Sequence, residues 1–151
     1  MSAPLALPDL AAMEALGERI AKLLEPGDVV ALEGDLGTGK TTLARAIIAA
    51  LGHEGEVPSP SFTIIEMYEH LSPPLVHADF YRLEHPSEAD EIGLDDYREG
   101  AALIAEWPMR AGGFAQDPQC LAITLQFRDE NGEGGRMAIV EPGQAWLGRW
   151  R

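Results

Sequence analysis

Positive charge is scarce in this chain: 11 Lys and Arg stand against 25 Asp and Glu, a formal net charge of −14 over 151 residues. The acid concentrates between Glu54 and Glu99, where twelve carboxylates meet only Arg82 and Arg98. Broad contact with nucleic acid needs a basic footprint, and none is visible; the acidity reads equally well as serving solubility. Any RNA involved is expected to be held mostly by a partner protein. Cysteine is almost missing as well. The single Cys120 excludes an intramolecular disulfide and a cysteine-built metal site. No apolar run approaches the roughly 20 residues that cross a bilayer, so no membrane association is expected. The first residues lack a basic segment followed by an apolar one, so no secretory leader is expected and the expected compartment is the cytoplasm. What remains is an ordinary hydrophobic fraction of 46%, enough for one buried core in one domain of this length. Residues 1–151 are expected to form that single domain, with about residues 1–8 a flexible N-terminus.

Apolar spacing at Met13, Leu16, Ile20 and Leu23 or Leu24 predicts a helix over Leu10 to Leu24, capped by Asp9. The turn Glu25-Pro26-Gly27-Asp28 precedes the short apolar run Val29 to Leu32, which reads as a buried strand. Thr41 to Leu51 reads as a helix with Leu43, Ala44, Ile47 and Ile48 inward and Gly52 just past its end. Phe62 to Tyr68 and Leu75 to Asp79 read as two strands, antiparallel because so short a connection cannot make a parallel crossover. Short helical pieces are expected over Ser87 to Ile92 and Leu94 to Glu99, then a strand over Ala101 to Glu106. Leu121 to Phe127 and Arg136 to Val140 read as a hairpin around Asn131-Gly132, and Pro142 to Arg151 as a terminal helical turn.

Between the strand at Val29 and the helix at Thr41 lies Gly34-Asp35-Leu36-Gly37-Thr38-Gly39-Lys40-Thr41. Glycines in such a loop let successive backbone N–H groups converge on an anion at a helix N-terminus. In this pattern the lysine, Lys40, reaches the β- and γ-phosphates of a nucleoside triphosphate, and the hydroxyl of Thr41 ligates Mg²⁺. Thr42 is the near alternative for the metal, but the spacing favours Thr41.

Such sites carry a second carboxylate near the metal, commonly at a strand end. Asp79 after Leu75-Val76 and Glu106 after Ala102-Leu103-Ile104 both fit, and position alone does not choose between them. His77 shares a strand face with Asp79 and reads equally as a residue that orients a water or a neighbour and as a satisfied structural histidine. Arg82 is a rare cation in an acidic region, suited to phosphate or to an ion pair. Trp107 follows Glu106, and core packing is the default for a tryptophan.

Taken together these residues resemble the TsaE (YjeE) family of small bacterial ATPases. The resemblance runs from the first helix to about Val140. It rests on Gly34 to Thr41, on Ser59-Pro60-Ser61-Phe62-Thr63, and on His77-Ala78-Asp79-Phe80-Tyr81-Arg82. Glu91 to Tyr97 and Ile104-Ala105-Glu106-Trp107-Pro108 complete it. It implies an α/β, P-loop NTPase-like three-layer domain with a mixed parallel and antiparallel sheet. It implies an ATPase using ATP and Mg²⁺, weak alone and working with the TsaB and TsaD proteins. Their task would be forming threonylcarbamoyladenosine at position 37 of tRNAs that read codons starting with A, so that tRNA is met through the complex. It further implies Gly34, Asp35, Leu36, Gly37, Thr38, Gly39, Lys40, Thr41, Thr42 and Trp107 about the nucleotide. Thr41 and Glu106 would lie at the metal, with Lys40, Asp79 and Glu106 in catalysis. Ser61 stands where the family usually has threonine.

Two other readings share the phosphate loop. A small-molecule or nucleotide kinase would need a second pocket with several basic residues, and basic residues are few here. A nucleotide-dependent interaction module without required hydrolysis would use the acidic stretch Glu84 to Glu99 for docking. No Asn-Lys-x-Asp segment is present, which argues against a guanine-specific protein.

Overall fold

The helical spacing at Met13, Leu16 and Ile20 becomes α1, Leu10–Leu23, in the computed structural model, which describes residues 4–129, 131 and 134–150. Asp9 caps it, its carboxylate accepting the N–H of Ala12 at 2.9 Å. β2 (Val29–Glu33) and α2 (Lys40–Ala50) bracket the glycine loop. Gly17 lets α1 lie directly on α2, because a Cβ at this position would stand 2.6 Å from the Cβ of Ala46.

Among the described residues, seven strands make one sheet. β1 is Leu5–Leu7, β3 Ile65–Tyr68, β4 Leu75–Asp79, β5 Ala102–Glu106, β6 Cys120–Phe127 and β7 Arg136–Pro142. Their spatial order is β1-β7-β6-β2-β5-β4-β3. The central pairs β6–β2, β2–β5 and β5–β4 are parallel, and the flanking pairs β1–β7, β7–β6 and β4–β3 are antiparallel. Period-two alternation divides the core into two layers. Val30, Leu32, Leu75 and Ile104 face α1 and α2. Val29, Ala31, Val76 and Leu103 face the other side, covered by α3 (Ser87–Glu91), α4 (Leu94–Arg98) and the turns around them. This is the expected three-layer mixed sheet.

Two local expectations are corrected. The flexible N-terminus does not hold for residues 5–7, which pair antiparallel with β7 along Leu5↔Ala138 to Leu7↔Arg136; residues 1–3 lie outside the described residues. The strand expected from Phe62 begins only at Ile65, because a turn precedes it: Ile64 donates to the Pro60 carbonyl at 2.7 Å and has φ 68°. The hairpin of β6 and β7 is present, with Phe127 opposite Arg136, while Gly132 of its expected turn lies outside the described residues. The terminal segment packs through a 3₁₀ turn, Gln144–Trp146, with Trp146 fully buried.

Candidate nucleotide site

The phosphate loop leaves the carboxyl end of β2 and enters α2 through Gly39, which caps the helix without a side-chain hydrogen bond. The first N–H groups of α2 are therefore free of any capping side chain. Gly34 is required by its surroundings: at φ 145°, a Cβ would meet the Leu125 carbonyl oxygen at 2.5 Å and Thr38 Oγ1 at 2.6 Å. Thr38 closes the loop by donating its hydroxyl to the Asp35 carbonyl at 2.8 Å. Lys40 Nζ donates to the carbonyls of Gly34 at 2.7 Å and Asp35 at 2.9 Å. The same ammonium stands 4.3 Å from the Trp107 ring centroid. Burial pushes the Lys40 pKa below its ordinary value, against the opposing charges of Glu106, Asp79, Asp35 and Glu33.

The two candidate carboxylates are register partners, Asp79 opposite Glu106 on neighbouring parallel strands. Both sit at carboxyl strand ends on the α2 side, where α/β sheets receive ligands. Their hydrogen bonds separate them. Glu106, only 2% exposed, accepts from Thr41 Oγ1 at 2.8 Å through Oε1 and from His77 Nε2 at 2.7 Å through Oε2. Asp79 accepts the N–H of Tyr81 at 3.0 Å. Burial raises the Asp79 carboxyl above its ordinary value and the charge of Glu106 adds to this, while the Tyr81 N–H, His77 and Lys40 oppose it. His77 is fully buried and its Nδ1 has no hydrogen-bond partner among the described residues.

Lys40, Thr41, Thr42, Asp79, Glu106 and Trp107 all line one cleft of about 590 Å³, together with Leu36, Gly37 and Gly39. Gly34 and Asp35 lie behind it as carbonyl acceptors for Lys40. Thr38 is buried beneath the loop. Residues the sequence left unassigned also reach the cleft. Phe62 is 86% exposed at its mouth, with the Arg82 guanidinium 5.3 Å from its ring centroid. Tyr81 lies 4.9 Å from Trp107, centroid to centroid. Trp107 takes its place with φ 53°, a left-handed conformation a bulky residue rarely adopts. Arg136 on β7 donates to the Gly37 carbonyl at 3.1 Å. Nothing local in the sequence signals that contact, because the two residues meet only through the sheet. A second cleft of about 330 Å³ joins the first across Gly37, Gly39 and Thr42, and is bordered by Leu10, Met13 and Arg136.

No group of three His, Cys, Asp or Glu side chains gathers to hold a metal among the described residues. The donor set is instead a hydroxyl and a carboxylate beside an anion cradle. That suits Mg²⁺, which takes one or two protein oxygens and completes its shell with phosphate and water.

A sheet with a parallel centre, a glycine loop between β2 and α2, and acids at the neighbouring strand ends define a P-loop NTPase-like protein. The TsaE family model, described as threonylcarbamoyl adenosine biosynthesis protein TsaE, matches residues 7–137. The chain belongs to this family, and membership ties it to threonylcarbamoyladenosine biosynthesis. It is 37% identical over 138 residues to the tRNA threonylcarbamoyladenosine biosynthesis protein TsaE of Streptomyces coelicolor, covering 89% of this chain and 93% of that one. The Haemophilus influenzae protein of the same name is 33% identical over 130 residues, 82% of each chain. The crystal structure of Bacillus subtilis YdiB superposes with a TM-score of 0.76 at 29% identity, over 97% of this chain and 90% of that one. Among the described residues no helix is long and apolar enough to cross a membrane.

Proposed function

We propose that this protein binds and hydrolyses Mg²⁺·ATP as the accessory ATPase of threonylcarbamoyladenosine formation. It would act with TsaB and TsaD proteins at position 37 of tRNAs reading codons that start with A, meeting tRNA through that complex. The observation that carries the reading is the 2.8 Å hydrogen bond from Thr41 Oγ1 to Glu106 Oε1, one residue from Lys40. It joins the helix-start hydroxyl and the strand-end carboxylate that an Mg²⁺·phosphate site uses.

In this reading the loop amides from Gly37 to Thr41 and the Lys40 ammonium hold the β- and γ-phosphates, with Lys40 exchanging two loop carbonyls for phosphate oxygens. Thr41 and Glu106 hold Mg²⁺, which when bound offsets the negative charge of the phosphate oxygens. The Trp107 ring keeps the ammonium from wandering into solvent. Asp79, opposite Glu106 on the neighbouring strand, orients the attacking water. The base lies in the second cleft, between Leu10, Met13 and Arg136, which supplies apolar surface and a cation for a heteroaromatic ring. Ser61 lines the phosphate cleft and shares a 2.8 Å hydroxyl–hydroxyl hydrogen bond with Ser59. The segment Ser59 to Thr63 is therefore suited to sense the γ-phosphate and change order on hydrolysis.

Steady-state ATP turnover of Lys40→Ala and Glu106→Ala, with the TsaB and TsaD partners present, tests the assignment. A loss of roughly 100-fold in each variant is expected. Unchanged turnover in both would sink it, and phosphate transfer to a small molecule rather than water would favour a kinase instead.

A further inference from the structure

β3 is the terminal strand on its side of the sheet, so one edge of it carries backbone N–H and C=O groups with no strand alongside among the described residues. Its register with β4 puts Met67 opposite Val76 and Ile65 opposite Ala78, on the face that α3 and α4 cover. That cover stops short of the edge. Met67, Ile92, Gly93, Asp96 and Tyr97 line an open groove of about 440 Å³ there. Met67 and Tyr97 are each 40% exposed, large apolar surfaces with nothing over them.

An apolar groove alone does not identify its occupant. The charge around this one does. From Glu84 to Glu99 the chain carries seven carboxylates and a single cation, Arg98. Arg98 is engaged by Asp117 at 3.4 Å. Asp96 lines the groove, and Asp90, Glu91 and Asp95, on α3 and α4, are exposed. This field repels nucleic acid, an anionic bilayer and a second copy of a chain whose net charge is −14. It attracts a cationic polypeptide.

We propose that the groove between β3 and the α3–α4 layer docks an extended segment of a partner protein carrying Lys or Arg two residues to either side of an apolar side chain, so that all three face the same way. The apolar side chain fills the space between Met67, Ile92 and Tyr97. The flanking cations meet Asp90, Glu91, Asp95 and Asp96. The partner's backbone runs along the free edge of β3, as in strand-addition complexes. Asp79 and Glu106 project from the opposite face of the sheet, so the docking surface leaves the nucleotide cleft open and does not depend on its assignment.

Fluorescence anisotropy with a labelled peptide, Lys-Thr-Leu-Thr-Arg, tests this against the intact protein at physiological salt. Saturable binding is expected, at least about 10-fold tighter than to the same-charge control Lys-Thr-Ser-Thr-Arg, since the apolar side chain is lost. Met67→Ala with Tyr97→Ala removes that advantage. Asp95→Asn with Asp96→Asn, on the exposed rim where folding is not at stake, weakens both peptides together. ATP turnover of the protein alone stays unchanged in these variants. Equal affinity for the two peptides would mean charge attraction without a groove and overturns the proposal. So do absence of saturable binding, unaltered binding by the Met67/Tyr97 variant, and self-association in sedimentation equilibrium that the same variant abolishes.

Discussion

Glu106 serves two donors at once, and each tells against a different substitution. Its Oε1 takes the Thr41 hydroxyl and its Oε2 takes His77 Nε2, so the carboxylate cannot rotate without losing one of them. His77→Leu frees that rotation and is expected to weaken Mg²⁺-dependent nucleotide binding by about 10-fold, the loss of one hydrogen bond to a charged group. His77→Gln, which keeps a donor near the same place, is expected to retain most of it; calorimetric titration with ATP, with and without Mg²⁺, reads both. Asp79 leads to a prediction of opposite sign for stability. Its folded pKa lies above its ordinary value because burial disfavours the ionised form. The ionised carboxylate therefore opposes folding at neutral pH, and that opposition fades as pH falls through the folded pKa toward the unfolded one. Asp79→Asn is expected to raise the Tm of the nucleotide-free protein at pH 7, with the gain shrinking toward pH 4, while ATP turnover falls. A lower Tm at pH 7 would contradict the burial account.

Among the elements, the glycine loop and the C-terminal turn make the sharpest predictions. Gly34 meets a backbone carbonyl, whereas a Cβ at Gly39 would meet only the mobile end of Met13, Cε at 2.9 Å. Gly34→Ala is therefore expected to destabilise more than Gly39→Ala, although both positions have positive φ; urea unfolding ranks them. The C-terminal turn is tied back to the start of β2. Arg149 donates to both carboxylate oxygens of the fully buried Asp28, at 2.8 and 2.9 Å, and its guanidinium carbon lies 4.1 Å from the Trp146 ring centroid. Arg149→Met keeps the stem but removes the cation that offsets the Asp28 charge, leaving the carboxylate only the Glu25 N–H and Gln119 Nε2 as donors; this is expected to destabilise the fold by about 3 kcal/mol in urea unfolding. Such long-range ties explain which elements the sequence reveals. The strand–loop–helix unit was legible because the apolar run Val29 to Leu32 and the glycine spacing are local. Leu5–Leu7 was not, since three residues become a strand only when Arg136 to Ala138 lie alongside. Phe62 misled because an apolar side chain next to Ile64 and Ile65 looks like strand, although it projects into solvent at the cleft mouth. Asp79 and Glu106 could not be ranked because they are register partners with the same strand-end pattern. Only the side chain reaching Thr41 distinguishes them.

At the scale of the whole molecule, the sheet separates two surfaces. One face presents Lys40, Thr41, Asp79 and Glu106 at the carboxyl strand ends, beneath a mouth ringed by Phe62, Tyr81 and Trp107. The other presents an acidic groove against the free edge of β3. On the proposed function, a chain of net charge −14 is the ATP-handling member of a complex whose other proteins would supply the basic surface for tRNA. All of this turns on the metal arm of the cleft. A crystal structure with Mg²⁺ and a non-hydrolysable ATP analogue tests it most directly. The account predicts the β- and γ-phosphates against the loop amides and Lys40, with the metal on Thr41 Oγ1 and Glu106 facing it. A metal held by Asp79 with Glu106 still closed on Thr41, or phosphates outside the Gly34 to Thr41 loop, would contradict it.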